Sequence, residues 1–276
     1  MTLVVDAHTH VWRAVPDHPE PAATIVSPAS DVPPSLLADW MEEAGVARAV
    51  VVQPICAGTD NEYVVGLAAA APDRHAAVCV VDPASPAAAT ELERWAARGA
   101  RGVRLRPLLP AEADVLESAA GRVLWEAAGR LGLVVSILGG PACLRALRAR
   151  AEEFSDVPVV LDHAGYPDLG RGAAELLDLA GAPSVHVKVS GFHYFSSEPY
   201  PYRDSLPLLR ELHRAFGARR LLWGSDFPHV LLRCGYRRSR LLGDTLLDFL
   251  DDAELAEVMG GTASRLYWRD PDGSMS

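Results

Sequence analysis

Hydrophobic positions along this chain gather into eight short runs, at residues 3–12, 47–54, 75–82, 102–107, 133–138, 157–164, 185–191 and 220–226. Runs of this length, rich in Val, Leu and Ile, suit parallel strands buried on both faces. Helical spacing takes over between them. Residues 35–44 are amphipathic and stop at Gly45, and residues 206–216 do the same before Gly217; a glycine there can adopt the left-handed backbone that ends a helix. Ser85-Pro86 reads as an N-cap followed by proline at the first helical position, with Gly99 after the last turn. Strands alternating with helices predict an α/β fold, a (β/α)8 TIM barrel. No interior linker is rich enough in Pro, Gly or Ser to divide it, so the reading is a single domain over 1–268 with a flexible C-terminal tail at 269–276. The longest irregular stretch, 24–34, is expected to form an active-site loop after the first strand.

Composition narrows the function classes. The 276 residues are 49% hydrophobic, enough for a sizeable core. A net charge of −10, dispersed over many short segments, suits a solvated outer ring of helices and excludes a nucleic-acid-binding surface. No apolar run approaches the roughly 20 residues of a membrane span, and no basic segment precedes the apolar start. Cys56, Cys79, Cys143 and Cys234 have no paired spacing, so reduced thiols in a cytoplasmic protein are expected. The partner expected is a small-molecule carbonyl substrate; the choice between a monomer and a homo-oligomer stays open.

Chemistry-bearing residues sit at the ends of these runs. Asp6-Ala7-His8-Thr9-His10 carries a His-x-His pair whose side chains, two apart on a strand, share one side. Asp162-His163 ends the sixth run and Ser225-Asp226 ends the eighth. In a barrel of this kind the active groups project from the C-terminal strand ends. His8, His10, His163 and Asp226 could therefore hold one divalent ion, zinc or manganese, or work as a metal-free acid/base site. Asp226 is read as the general base that activates water. His18, His75 and His213 are read as structural, on a loop, a strand start and an amphipathic helix.

Arg104 and Arg106 share parity on the fourth run, opposite Val103 and Leu105, so both are expected to point into the barrel. They would meet either an internal carboxylate such as Asp6 or the carboxylate of a substrate, which a guanidinium fork fits. Gln53, at the end of the second strand, offers an amide to a carbonyl or hydroxyl, or is satisfied internally. Tyr166, His193, Tyr194 and His229 each follow a strand and are expected to line the mouth. Trp12 is the tryptophan best placed to join them.

The ordered motifs Asp6-Ala7-His8-Thr9-His10, Gly102-Val103-Arg104-Leu105, Leu161-Asp162-His163-Ala164-Gly165, Val187-Lys188-Val189-Ser190-Gly191 and Trp223-Gly224-Ser225-Asp226-Phe227-Pro228-His229 span nearly the whole chain. Together they resemble the amidohydrolase-related (amidohydrolase 2) family, in the branch that holds 2-pyrone-4,6-dicarboxylate lactonase and sugar lactonases. The resemblance implies a hydrolase of a lactone or related carboxylic ester, and it favours Arg104 as a clamp on a substrate carboxylate. The same family includes metal-dependent decarboxylases, which are the alternative reading, and a non-catalytic binding barrel is a third. Some members of this branch work without metal. Three departures bear on the expectation. The fifth strand, Val134-Val135-Ser136-Ile137, lacks the His that decarboxylases use, and the fourth strand lacks the Lys that bridges two metals. The loop Phe192-His193-Tyr194-Phe195 lacks the arginine that would grip a second carboxylate.

Overall fold

The computed structural model describes residues 3–16 and 26–268. Eight parallel strands form one sheet in chain order: β1 (Val5–Thr9), β2 (Arg48–Val52), β3 (His75–Cys79), β4 (Ala100–Leu105), β5 (Val134–Ile137), β6 (Val159–Leu161), β7 (Val185–Val189) and β8 (Leu221–Trp223). The ring closes where Thr9 bridges Phe227, with Asp226 N donating to His8 O at 2.9 Å and His10 N to Phe227 O at 2.7 Å. The predicted (β/α)8 barrel is the fold observed. The strands are shorter than the hydrophobic runs because several runs continue into tight turns that carry the site.

The outer ring comprises α1 (Pro34–Ala44), α2 (Glu62–Ala70), α3 (Ala88–Ala97), α4 (Ala119–Arg130), α5 (Leu144–Glu153), α6 (Ala174–Asp178) and α7 (Leu206–Phe216). Four short helices follow β8: α8 (Tyr236–Arg240), α9 (Leu242–Leu246), α10 (Asp252–Ala256) and α11 (Thr262–Tyr267). Gly45 ends α1 at φ 67°, as its position predicts. The expected cap of α3 is displaced: the helix starts at Ala88, and Ser85 instead accepts from Ala87 N within a preceding turn. Among the described residues no helix is long and apolar enough to cross a membrane.

Two apolar layers hold the barrel. Outward residues such as Val51, Val103, Ile137 and Val187 pack against Leu37, Leu92, Trp125 and Leu212 of the helices. Inward residues, among them Val50, Val78, Val134, Val160 and Leu222, fill the interior and meet Tyr267 of α11. The inward valines leave the upper barrel to polar side chains. His18 and the tail 269–276 lie outside the described residues, as does the start of the 24–34 loop. The rest of that loop returns to the barrel, where Val32 pairs with Trp12 through two backbone bonds of 2.9 and 3.0 Å.

Candidate active site

The first strand aims its histidines through an irregularity. Its register against β2 shifts between Asp6 and Thr9. Val5 and Ala7 belong to the interior apolar cluster, yet His8 and His10 converge on one another, with Nε2 atoms 3.1 Å apart. A bulge of this kind re-aims a side chain without breaking the sheet. Asp6 fixes the seam, because its Oδ1 accepts from His8 N at 3.1 Å and from Ser225 N at 2.8 Å. That commitment explains why Asp6 is not the arginine's partner.

His163 and Asp226 stand just beyond β6 and β8, on left-handed backbone at φ 51° and 64°. Non-glycine residues at positive φ are uncommon and gather at functional sites. These turns point both side chains inward. Asp226 Oδ1 lies 3.7 Å from His8 Nε2, 3.7 Å from His10 Nε2 and 3.8 Å from His163 Nε2. Its Oδ2 accepts from Tyr194 Oη at 2.8 Å and lies 3.6 Å from His193 Nε2. All four of the residues read as a metal or acid/base set thus meet at one point. His10 Nδ1 contacts Val52 O at 2.7 Å, and His163 Nδ1 contacts Ser190 Oγ at 2.9 Å.

The remaining candidates divide. The rim holds His229, whose ring is 5.8 Å from that of His10 and 6.0 Å from Trp12, and Tyr166, whose ring is 5.3 Å from His163. His193 Nε2 and His229 Nδ1 are buried and have no hydrogen-bond partner among the described residues. Gln53 takes the internal role. Its Nε2 donates to the carbonyls of Ala57, Gly58 and Asp60 at 3.3, 3.2 and 2.9 Å, while its Oε1 is left without a partner there. Arg106 is not aimed into the barrel: beyond the strand end its Nε reaches Glu112 Oε1 at 2.8 Å, and its own N–H takes the other carboxylate oxygen at 3.0 Å. His75 is a buried strand residue, and His213 pairs with Glu254 at 2.8 Å.

Arg104 does enter the barrel, but its partner is Asp162. Nε and Nη2 meet Asp162 Oδ2 at 2.9 and 2.8 Å. The other oxygen, Oδ1, lies 2.8 Å from Lys188 Nζ, 3.0 Å from Ser136 Oγ and 3.4 Å from His8 Nδ1. This carboxylate hub was not legible as such. Asp162 and Lys188 stand in the sequence as motif residues, and only strand adjacency in the closed barrel joins them.

Burial sets the electrostatics. It lowers the pKa of His8 and His10 well below the usual imidazole value, helped by Lys188 and Arg104 respectively, and it brings His163, His193 and His229 to about 4. The imidazoles are therefore neutral near pH 7 and keep lone pairs to offer. Burial also raises Asp226, against the opposing pull of His163 and the Tyr194 hydroxyl. Burial would raise Asp162 as well, but Lys188 and Arg104 outweigh it and hold that carboxyl well below its ordinary range.

The donor set fits one divalent ion. His8, His163 and Asp226 offer ligand atoms within 4.8 Å of one another, as do His10, Asp226 and His229. Spacings of 3.1 to 3.8 Å are those of neighbouring ligands around a small divalent metal with bonds of about 2.1 Å. No bridging lysine is available, because Lys188 is drawn onto Asp162.

Known proteins share this architecture. The amidohydrolase family model matches residues 5–269. An L-fucono-1,5-lactonase of Burkholderia ambifaria is 33% identical, covering 99% of this chain and 98% of its own. A 2-pyrone-4,6-dicarboxylate hydrolase of Comamonas testosteroni is 30% identical, covering 96% of this chain and 90% of its own. Among solved structures, an amidohydrolase from Burkholderia multivorans with bound zinc superposes with a TM-score of 0.83 at 27% identity, covering 96% of this chain and 99% of its own. By the extent of the family match and of these relatives, the chain belongs to the amidohydrolase family.

Proposed function

We propose that this protein is a lactone hydrolase whose attacking water is activated by Asp226. The observation that carries the reading is the convergence of a buried carboxylate with three neutral imidazoles at the C-terminal mouth of the barrel. The relatives are named for lactone opening, which supports the reaction class. The fifth strand places Ser136, not a histidine, against Asp162, which weighs against the decarboxylase reading.

Water held against Asp226 Oδ1 gives up a proton to the carboxylate as its oxygen attacks the lactone carbonyl. The carbonyl oxygen gains charge, and the positive charge of Arg104, which acts on both His10 and Asp226, stabilises it. The ring C–O bond then breaks, and the departing alkoxide takes the proton that Asp226 removed. The product is a hydroxy acid. Tyr194 Oη, bonded to Asp226 Oδ2, leaves Oδ1 as the basic oxygen. His8, His10, His163 and Asp226 would hold a divalent ion, which when bound lowers the pKa of water and polarises the carbonyl.

The site favours hydroxylated lactones over dicarboxylates. Arg104 and Arg106 are already paired with Asp162 and Glu112. The unpartnered nitrogens of His193 and His229 suit hydroxyl groups instead. The four cysteines are free, in keeping with the reducing cytoplasm where we place the protein. A panel of sugar lactones and pyrone dicarboxylates, followed by acid release and by NMR of the product, tests the reading. Ring-opened hydroxy acid is the expected product; carbon dioxide, or no turnover across the panel, would contradict it.

A further inference from the structure

One contact in the site carries more than the reaction requires. Lys188 Nζ lies 3.0 Å from His8 Nδ1 and 2.8 Å from Asp162 Oδ1, and all three side chains are buried. An ammonium has donors only, so toward His8 it can act only on the Nδ1 lone pair. A neutral imidazole that accepts at Nδ1 carries its proton on Nε2. His8 Nε2 in turn faces His10 Nε2 at 3.1 Å, and His10 Nδ1 sits 2.7 Å from Val52 O, a pure acceptor. These contacts satisfy one another in a single direction. Lys188 donates to His8, His8 Nε2–H donates to His10 Nε2, and His10 Nδ1–H donates to Val52 O.

We propose that Lys188 is a positioning residue that fixes the tautomer of His8 and thereby opposes the uptake of a divalent ion by these ligands. A metal ligand needs the lone pair that this tautomer covers with a proton. The opposite tautomer has a ready acceptor, because Asp162 Oδ1 lies 3.4 Å from His8 Nδ1. That arrangement would be the carboxylate–histidine pair that ordinarily supports a bound metal. Lys188 Nζ lies within 3.0 Å of both partners and competes with His8 Nδ1 for that carboxylate oxygen. The inference concerns the state of the site and does not depend on which lactone is opened.

The test contains no turnover. Protein labelled with 15N-histidine and stripped by a chelator should show His8, assigned by its loss in a His8→Asn variant, with the proton on Nε2. In Lys188→Met the carboxylate of Asp162 retains Arg104 and Ser136, and the His8 proton should move to Nδ1. Zinc affinity, read by competition with a chromophoric chelator, should rise by about 10- to 100-fold in that variant. Circular dichroism and thermal unfolding establish that the variant is folded. A wild-type spectrum with the proton on Nδ1 would overturn the proposal whatever the variant does. So would a folded Lys188→Met protein with unchanged His8 resonances and unchanged zinc affinity.

Discussion

Arg104 is the residue whose role changes most between sequence and structure. Parity on β4 correctly sends it into the barrel, but its fork is spent on Asp162 through Nε and Nη2. Removing one member of a buried pair leaves the other carboxylate undercompensated, at a cost of several kcal/mol when no second partner exists. Lys188 remains here, so Arg104→Met should lower stability by about 2–3 kcal/mol and also weaken the transition state, visible as a fall in kcat/KM together with a lower urea midpoint. A variant with full stability and only a raised KM would instead make Arg104 a simple substrate clamp. Asp226 supplies a second prediction. Burial raises its pKa above the ordinary carboxylate range, and the basic form is the active one. Activity should therefore be full at neutral pH and fall on acidification, starting at higher pH than for an exposed aspartate. An acid limb in the pH profile of kcat that disappears in Asp226→Asn checks this.

At the scale of elements, turns rather than strands decide the geometry. Gly191, just after β7, has φ 64°, and a Cβ there would lie 2.6 Å from His163 Nδ1. Gly191→Ala should therefore displace His163 from Ser190, lowering stability by about 1–3 kcal/mol and activity at least tenfold. Thermal unfolding and turnover on the best lactone measure both, and unchanged activity would mean that His163 can move freely. The eight strands were legible because buried parallel strands read as apolar runs, and the site was legible because its residues close those runs. The bulge in β1 was not, since Asp6-Ala7-His8 shows no glycine or proline to announce it. The partner of Arg106 was missed for a different reason: Glu112 is close in sequence but comes back through a turn of the β4 loop. Asp162 and Lys188 are 26 residues apart by number and meet only because β6 and β7 pair in register.

For the whole molecule, burying so many imidazoles has a consequence for acid stability. His75, His163, His193 and His229 have folded-state pKa values of about 4, against 6.5 for the free side chain. Between those values the unfolded chain binds more protons, so stability rises with pH and is lost as pH falls below about 6.5. Asp162, held low, adds to the loss at still lower pH, below its ordinary value of 3.8. Asp6, raised to about 6 by burial, and Asp226, also raised by burial, act in the opposite sense, but they are two groups against four. The urea midpoint should fall steadily from pH 7 to pH 5; a flat profile over that range would mean that the histidines are not buried neutral. The central claim, that this barrel opens lactones with Asp226 as the base, is tested most directly by comparing kcat of wild type and Asp226→Asn on a hydrolysed lactone. The amide keeps the size of the side chain and removes the basic oxygen, so kcat should fall by roughly 10²–10⁴ with little change in KM. An Asp226→Asn protein with near wild-type kcat would contradict the account.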